Sequence, residues 1–429
     1  MTILTRRRVG ALAGLAALGI GLTACSGGNA STPTDGDAKV VWSTWGSPEE
    51  LKMFDRVQDS FKEANPDVEL VFQPTPSYSD YHSKLLTQLS SGTAPDVFYV
   101  GDDRIASVIR NDVLAPVSSS SLDEGDFAEN VLDVARWEGE LYALPNDVNP
   151  DALWYDKEAL KAAGITEDPA ELAANDEWTT EKFFEMTGKL ADAGLTGAVY
   201  WNYWATHDSI MTAGGGQVYD DEGAYVAHTD AKSVAALDEY AARFATGELK
   251  LADLLPEGSG EDTLLVTHQL GFLAQGRYTI GTIRGAGVDE SLYDIVRWPT
   301  PDGKAAPTGV AASYLAVSKD AAENDAAWDF FSFFLSAEGQ QLRLEGTGNA
   351  VPSIAGTDDI VLADGFPAHA QTMLDMRDLG YSNFATEAAV PDLSNQIAVE
   401  FMQPLYEAGS GAQETLDAVA ELVEEKTAS

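Results

Sequence analysis

Between residues 38 and 101 the hydrophobic pattern switches repeatedly between short β-branched or aromatic runs and apolar positions at helical spacing. Lys39-Val40-Val41-Trp42-Ser43-Thr44-Trp45 predicts a strand that Gly46 ends. Ser47-Pro48-Glu49-Glu50 then predicts a helix start, with serine as cap, proline in the first turn and Glu50 closing a capping box. Leu51, Phe54, Val57 or Gln58, and Phe61 follow at helical spacing, and Asn65-Pro66 stops them. A strand over Val68–Phe72 comes next. A loop with Pro74, Pro76, Tyr78 and Tyr81 leads to a helix facing inward through Leu85, Leu86 and Leu89, and a strand runs from Asp96 to Val100. Strand, helix, strand, helix, strand predicts a parallel α/β sheet, whose ligands lie beyond the carboxyl ends of the strands. Those ends are Trp45-Gly46-Ser47, the Tyr78 loop and Gly101-Asp102-Asp103.

The middle of the chain is richer in helical pattern, with helices expected over 156–163, 179–193, 231–246 and, shorter, near 261–275. An aromatic loop, Tyr200-Trp201-Asn202-Tyr203-Trp204, lies among them. Further strands are expected at 278–283 and 313–317, a long helix from Asp325 to Leu344, and a last one over 413–425. Trp42, inside the first strand, and Trp328, on a helix face, are expected in the core.

The opening 28 residues read differently. Arg6-Arg7-Arg8 precede an apolar run from Val9 to Leu22, and Leu22-Thr23-Ala24-Cys25 closes it. A charged start, a short apolar middle and small residues at the cut predict a secretory signal over 1–24, shorter than the roughly 20 apolar residues of a bilayer span. The tetrad resembles the lipobox of bacterial lipoproteins, which implies lipidation of Cys25. The arginines leave general and twin-arginine export both open. Residues 25–37 are polar and predict a flexible tether.

Composition narrows the function. The 69 acidic against 26 basic residues, a formal charge of −43, argue against nucleic acid as a partner, because phosphates demand a positive surface. Cys25 is the only cysteine, which removes disulfides and thiolate metal sites, and the five scattered histidines contain no close pair. No cofactor and no metal is called for.

Several segments, in order across the mature chain, carry a resemblance to the extracellular solute-binding proteins (family 1) that serve bacterial ABC importers of oligosaccharides. They are the lipobox, Trp45-Gly46, Phe61-Lys62-Glu63-Ala64-Asn65-Pro66, Tyr81 with Lys84-Leu85 leading to Ala94-Pro95-Asp96-Val97, and Leu141-Tyr142-Ala143-Leu144-Pro145. Trp154-Tyr155-Asp156-Lys157, Gly276-Arg277 and Ser336-Ala337-Glu338-Gly339-Gln340 complete the set. The resemblance implies the two-lobed periplasmic-binding-protein fold: two discontinuous α/β lobes joined by hinge crossings, with a ligand cleft between them. One lobe is expected from 38–147 plus 276–312 and the other from 148–275 plus 313–429, with crossings near Asp147–Asn149, Gly309–Ser313 and Gly276. It implies a monomeric, non-enzymatic receptor, lipid-anchored outside the cell membrane, that hands an oligosaccharide to ABC permease subunits.

A sugar presents hydroxyls around a ring and apolar C–H faces, so its site needs aromatic platforms and ionised acceptors. The expected platforms are Trp45, Tyr78, and at least one of Trp201 and Trp204. The expected polar partners are Gly46 at the turn, Asp102 and Asp103, Asp147 and Asn149 at the first crossing, and Arg284. At Arg284, many relatives carry a small residue followed by a stacking tryptophan. Either Arg284 serves as a planar donor or that subsite is empty. Two other readings keep a place: a receptor for a non-sugar solute such as a polyol phosphate or polyamine, and an extracellular glycoside hydrolase working through paired carboxylates.

Overall fold

The computed structural model describes residues 38–46, 50–256, 258–346 and 348–428. The expected signal, Cys25 and the tether lie outside the described residues, as do Ser47, Pro48 and Glu49 of the expected helix start. In chain order the strands are β1 (Ala38–Ser43), β2 (Val68–Phe72), β3 (Val97–Gly101), β4 (Arg136–Trp137), β5 (Glu140–Leu141) and β6 (Ala143–Pro150). They continue as β7 (Ala152–Asp156), β8 (Thr196–Tyr200), β9 (Leu249–Leu251), β10 (Leu270–Gln275), β11 (Tyr293–Val296) and β12 (Val310–Val317). Two five-stranded sheets, one per lobe, run β2-β1-β3-β12-β6 and β11-β7-β10-β8-β9, while β4 and β5 form a small ribbon. In the first sheet β1, β2 and β3 are parallel and β12 pairs antiparallel with both β3 and β6. In the second, β8, β9 and β10 are parallel and β7 runs against β10 and β11.

The core of the first lobe follows the sequence pattern. Trp42 is fully buried, stacked on Phe72 at 4.2 Å and edge-on to Phe54 at 5.2 Å. The helix Met53–Ala64 buries Phe54, Val57, Gln58 and Phe61, and the Gln58 side chain accepts the Trp42 indole N–H at 3.3 Å. Trp328 is buried as expected. Among the described residues no helix is long and apolar enough to cross a membrane.

Three expectations change. Residues 279–286 form a helix rather than a strand, burying Ile280 and Ile283 one turn apart. A run of β-branched residues suits either element, and packing chose the helical period. The helix expected over 261–275 stops at Val266, and Leu270–Gln275 becomes β10. Every residue of β10 is buried because it runs between β7 and β8, so it lacks the alternation that marks a half-exposed strand. The long helix expected from Asp325 to Leu344 breaks at Ser336, whose hydroxyl caps the second half by accepting the Gly339 N–H at 3.1 Å.

The sheets also redraw the expected lobe boundaries. The segment 276–312, assigned to the first lobe from the sequence, supplies β11 to the second sheet. β12, split by the expected boundary at 313, lies wholly in the first. The helices Asp325–Leu335 and Ala337–Leu344 pack with it, against β1 and the helix Met53–Ala64 respectively. The chain therefore passes between the sheets at Asp151 and again between β11 and β12, not near Gly276, and the helices Gln403–Ala408 and Ala412–Thr427 pack on Ala231–Ala245 of the second lobe. Antiparallel pairing decides this: β12 fits only between β3 and β6, and β11 only at the edge beside β7.

Candidate functional site

The strand ends of the two sheets face a cavity of about 550 Å³. Its first wall grows from β1, β2 and β3. Trp45 forms a parallel bridge with Thr75, and Ser77 caps the helix Tyr78–Ser91 by accepting the Asp80 N–H at 3.3 Å. The loop expected around Tyr78 is thus the first turn of that helix. Tyr78 meets the Trp45 ring edge-on, with centroids 4.9 Å apart, and Tyr81 and His82 close around the indole at 5.4 and 5.2 Å. His82 Nε2 accepts the Gly101 N–H at 3.2 Å, which leaves Nδ1–H to donate to the Tyr78 carbonyl at 3.0 Å. Burial keeps this ring neutral and lowers its pKa to about 3. The Tyr78 hydroxyl donates to Asp103, and a Cβ on Gly101 would overlap that hydroxyl. Glycine there is a steric requirement of the site.

Between the walls lie Asp102, Asp147 and Asn149. Asp102 and Ala312 of β12 exchange two bonds: Asp102 N–H to the Ala312 carbonyl at 3.2 Å, and Ala312 N–H to Asp102 Oδ2 at 2.9 Å. Trp204, from the other lobe, lines the cavity with it. Burial and, after it, the neighbouring Asp103 charge push Asp102 up to about 8 although the Ala312 amide opposes the rise. Asp147 owes its position to an irregularity in the β6–β12 pairing, where Ser313 opposes Asp147 but Tyr314 opposes Pro145. The extra residue, Asn146, turns the strand locally. Arg343, fully buried, lies 3.6 Å from Asp147 Oδ2 and donates to the Asn146 carbonyl at 2.6 Å. Burial raises the Asp147 pKa and Arg343 opposes the rise. Asn149 Oδ1 accepts the Arg277 N–H at 3.1 Å and so ties β6 to the end of β10 in the other sheet.

The second wall follows β8 and β10. Tyr203 precedes the helix Trp204–Ala213 in extended conformation and donates its hydroxyl to Asp151 at the first crossing. Burial pushes Asp151 up to about 6 while the Tyr203 bond opposes it. Gly309 N–H donates to Ser209 Oγ at 2.9 Å, and a Cβ on Gly309 would come within 2.8 Å of the Ala205 Cβ, so glycine lets the helix approach β12. Tyr278 completes this wall.

Of the residues expected from the sequence, Trp45, Gly46, Tyr78, Asp102, Asp103, Asp147, Asn149 and Trp204 line the cavity together. Trp201 does not: it packs half-buried against the core. Arg284 does not either. It sits on the helix Thr279–Ala286, exposed, with Nε 2.9 Å from Glu290 Oε2 and its guanidinium 5.8 Å from the Phe366 ring centroid. The two had suggested themselves through an aromatic loop and an apparent strand end, and the helix starting at 279 moved Arg284 away. Arg104, Tyr203, Tyr278, Ser394 and Asn395 also line the cavity. Tyr203 lay inside the aromatic loop already singled out, whereas Ser394 and Asn395 come from a part of the chain with no distinguishing signal.

Residues 45–341 match the family of bacterial extracellular solute-binding proteins, and the chain belongs to that family. It is 23% identical over 305 residues to the maltotriose-binding protein of Pyrococcus abyssi, covering 69% of this chain and 62% of that one. The aligned part therefore spans somewhat under two thirds of that relative. It is 25% identical over 357 residues to the diacetylchitobiose binding protein of Streptomyces coelicolor, covering 77% and 78%. In fold it is similar to the ABC substrate-binding protein of Listeria monocytogenes solved in complex with cycloalternan, with a TM-score of 0.76, 18% identity and 91% and 99% of the two chains covered.

Proposed function

We propose that this family member captures an oligosaccharide in the cavity between its lobes and delivers it to the permease of an ABC importer, without chemical change. The observation that carries the reading is the composition of the lining. Rings from both lobes (Trp45, Tyr78, Tyr203, Trp204, Tyr278) surround hydroxyl-seeking Asp102, Asp103, Asp147 and Asn149 at the strand ends. Flat apolar surfaces beside carboxylates and an amide match the alternation of C–H faces and hydroxyls on a sugar. The relatives named for maltotriose and diacetylchitobiose point the same way. A panel of oligosaccharides tests this by thermal shift and calorimetry. A sugar that binds only the folded protein raises its melting temperature, and one-to-one binding with the sugar recovered intact is expected. Release of shorter sugars would instead make the carboxylates those of a hydrolase.

The receptor is further proposed to be a monomer held at the outer face of the membrane by a lipid on Cys25. A Cys25→Ala variant should leave the membrane fraction or remain unprocessed. Mature variant protein still in that fraction would overturn the anchor.

A further inference from the structure

A buried cation sits beneath the cavity without lining it. Arg343 stands near the end of the helix Ala337–Leu344, which packs on the helix Met53–Ala64, and its side chain is fully buried. The guanidinium lies over the Phe334 ring, 4.4 Å from its centroid, in an aromatic core that includes Trp42 and Phe54. Nη2 donates to the Asn146 carbonyl at 2.6 Å. Nη1 lies 3.4 Å from Asn146 Oδ1, 3.5 Å from the Tyr99 hydroxyl and 3.6 Å from Asp147 Oδ2. These contacts converge on the irregular step of β6, where Ser313 opposes Asp147 but Tyr314 opposes Pro145. Asn146 is wholly buried there, while Asp147 and Tyr99 line the cavity. Packing gives no reason for arginine at this place, because an apolar side chain of similar length would fill the space without desolvating a charge. Its contacts do give one: they hold the bulged backbone and set a positive charge against Asp147.

We infer that Arg343 is a positioning residue of the binding site: from beneath the cavity it pins the bulge at Asn146 and holds the Asp147 carboxylate in place as an acceptor of sugar hydroxyls. The inference rests on the sugar-receptor reading above. Arg343 acts through Asp147 and touches no ligand itself. Burial alone favours the neutral Asp147 carboxyl, and Arg343 opposes it. The ionised form matters because a hydrogen bond to a charged acceptor is the stronger one. Lysine supplies the charge but not the planar fork that reaches the Asn146 carbonyl and Asp147 together. The other groups around Asp147 are Tyr99 on β3, kept neutral by burial, and Ser313 on β12. Asp102, Asp103 and Arg104 line the same cavity, and the two acids titrate as well. The informative quantity is therefore the difference between variants.

Calorimetry with maltotriose, diacetylchitobiose and the rest of the panel, from about pH 5.5 to about pH 8, tests this on Arg343→Met, Arg343→Lys, Asp147→Asn and the double variant Asp147→Asn with Arg343→Met. Arg343→Met should bind about tenfold more weakly at the acid end, the scale by which a charged hydrogen bond exceeds a neutral one, and the deficit should shrink as pH rises and Asp147 ionises. Arg343→Lys should restore the pH profile and only part of the affinity. In the Asp147→Asn background, Arg343→Met should add no pH-dependent loss. Melting curves report the folded fraction of each variant, and Arg343→Lys carries the comparison if Arg343→Met does not fold. Carboxyl carbon NMR of the unaltered protein, with the Asp147 signal assigned by its loss in Asp147→Asn, should show Asp147 ionised at neutral pH. A deficit in Arg343→Met that is equal at every pH, or that persists undiminished in the Asp147→Asn background, makes Arg343 merely structural and overturns the inference. A neutral Asp147 in the unaltered protein at neutral pH overturns it too, and both outcomes leave the receptor reading standing. Binding of no sugar by the unaltered protein overturns the receptor reading and the inference with it.

Discussion

The two walls of the cleft are built from similar residues and held in opposite ways. On the first, Trp45, Tyr78, Tyr81 and His82 lock together edge to face, and His82 uses both ring nitrogens on backbone partners. The Tyr81 hydroxyl lies 2.9 Å from the Tyr99 carbonyl and 3.1 Å from that of Ser43. Behind the second wall, Asn202 Oδ1, Thr206 Oγ1, His207 Nε2 and Asp208 Oδ2 are buried without a hydrogen-bond partner, and on the first side Arg104 Nε and Asn146 Nδ2 are as well. A buried polar atom left unpaired costs about 1–3 kcal/mol. The first wall is therefore an extension of its lobe's core, with its shape set before ligand arrives. The second wall follows the helix Trp204–Ala213, which is joined to the first sheet's β12 by the Gly309 N–H on Ser209 Oγ.

Cutting one aromatic from each wall sharpens the contrast most. Trp45→Ala should destabilise the protein by about 3 kcal/mol, at the low end for truncating a packed tryptophan, and weaken sugar binding with it. Denaturant unfolding measures the first effect, and an unchanged midpoint would mean the wall is not part of the core. Trp204→Ala should show the reverse balance, with about a tenfold to hundredfold loss of affinity. The scale is the roughly 1–3 kcal/mol of aromatic stacking on a flat ligand. If Trp204→Ala loses stability while the folded fraction binds normally, the second wall is core as well and the contrast disappears.

Titration offers a smaller, graded test. Asp102 and Asp151, raised to about 8 and about 6, bind protons more tightly in the folded protein than in the unfolded chain, where carboxyls titrate near 4. Their contribution to stability is complete below pH about 4 and is lost as pH rises through 6 and 8. His82 and His207, lowered by burial to about 3, act in the other sense. Their contribution is lost as pH falls from about 6.5 towards 3. Above pH about 6.5 only the carboxyls remain in play, so the melting temperature should decline between pH 6.5 and 8.5. Asp102→Asn should flatten that decline. A melting temperature that rises across the window would contradict the burial of these carboxyls.

Local pattern made much of this molecule legible. The strand–helix–strand order at the start, the core role of Trp42, and the cavity positions of Trp45, Tyr78 and Asp102–Asp103 all follow from short-range signals: spacing, breakers and strand ends. These elements are consecutive in the chain and pair with near neighbours, so the information that places them is local. The resemblance carried over the lobes, and with them Asp147 and Asn149 at the crossing. Only the tertiary structure decided the rest. The run at 278–283 suits strand or helix, and β10 hides its period because it is buried on both faces. The lobe boundaries depend on which sheet accepts β11 and β12, a choice made by partners more than 130 residues away. Trp201 and Trp204 differ by three positions, yet one packs on the core while the other lines the cavity, because the helix begins at Trp204. Sequence sets what each residue can do over a few neighbours, and packing between distant segments sets which of those capacities meet in one cavity.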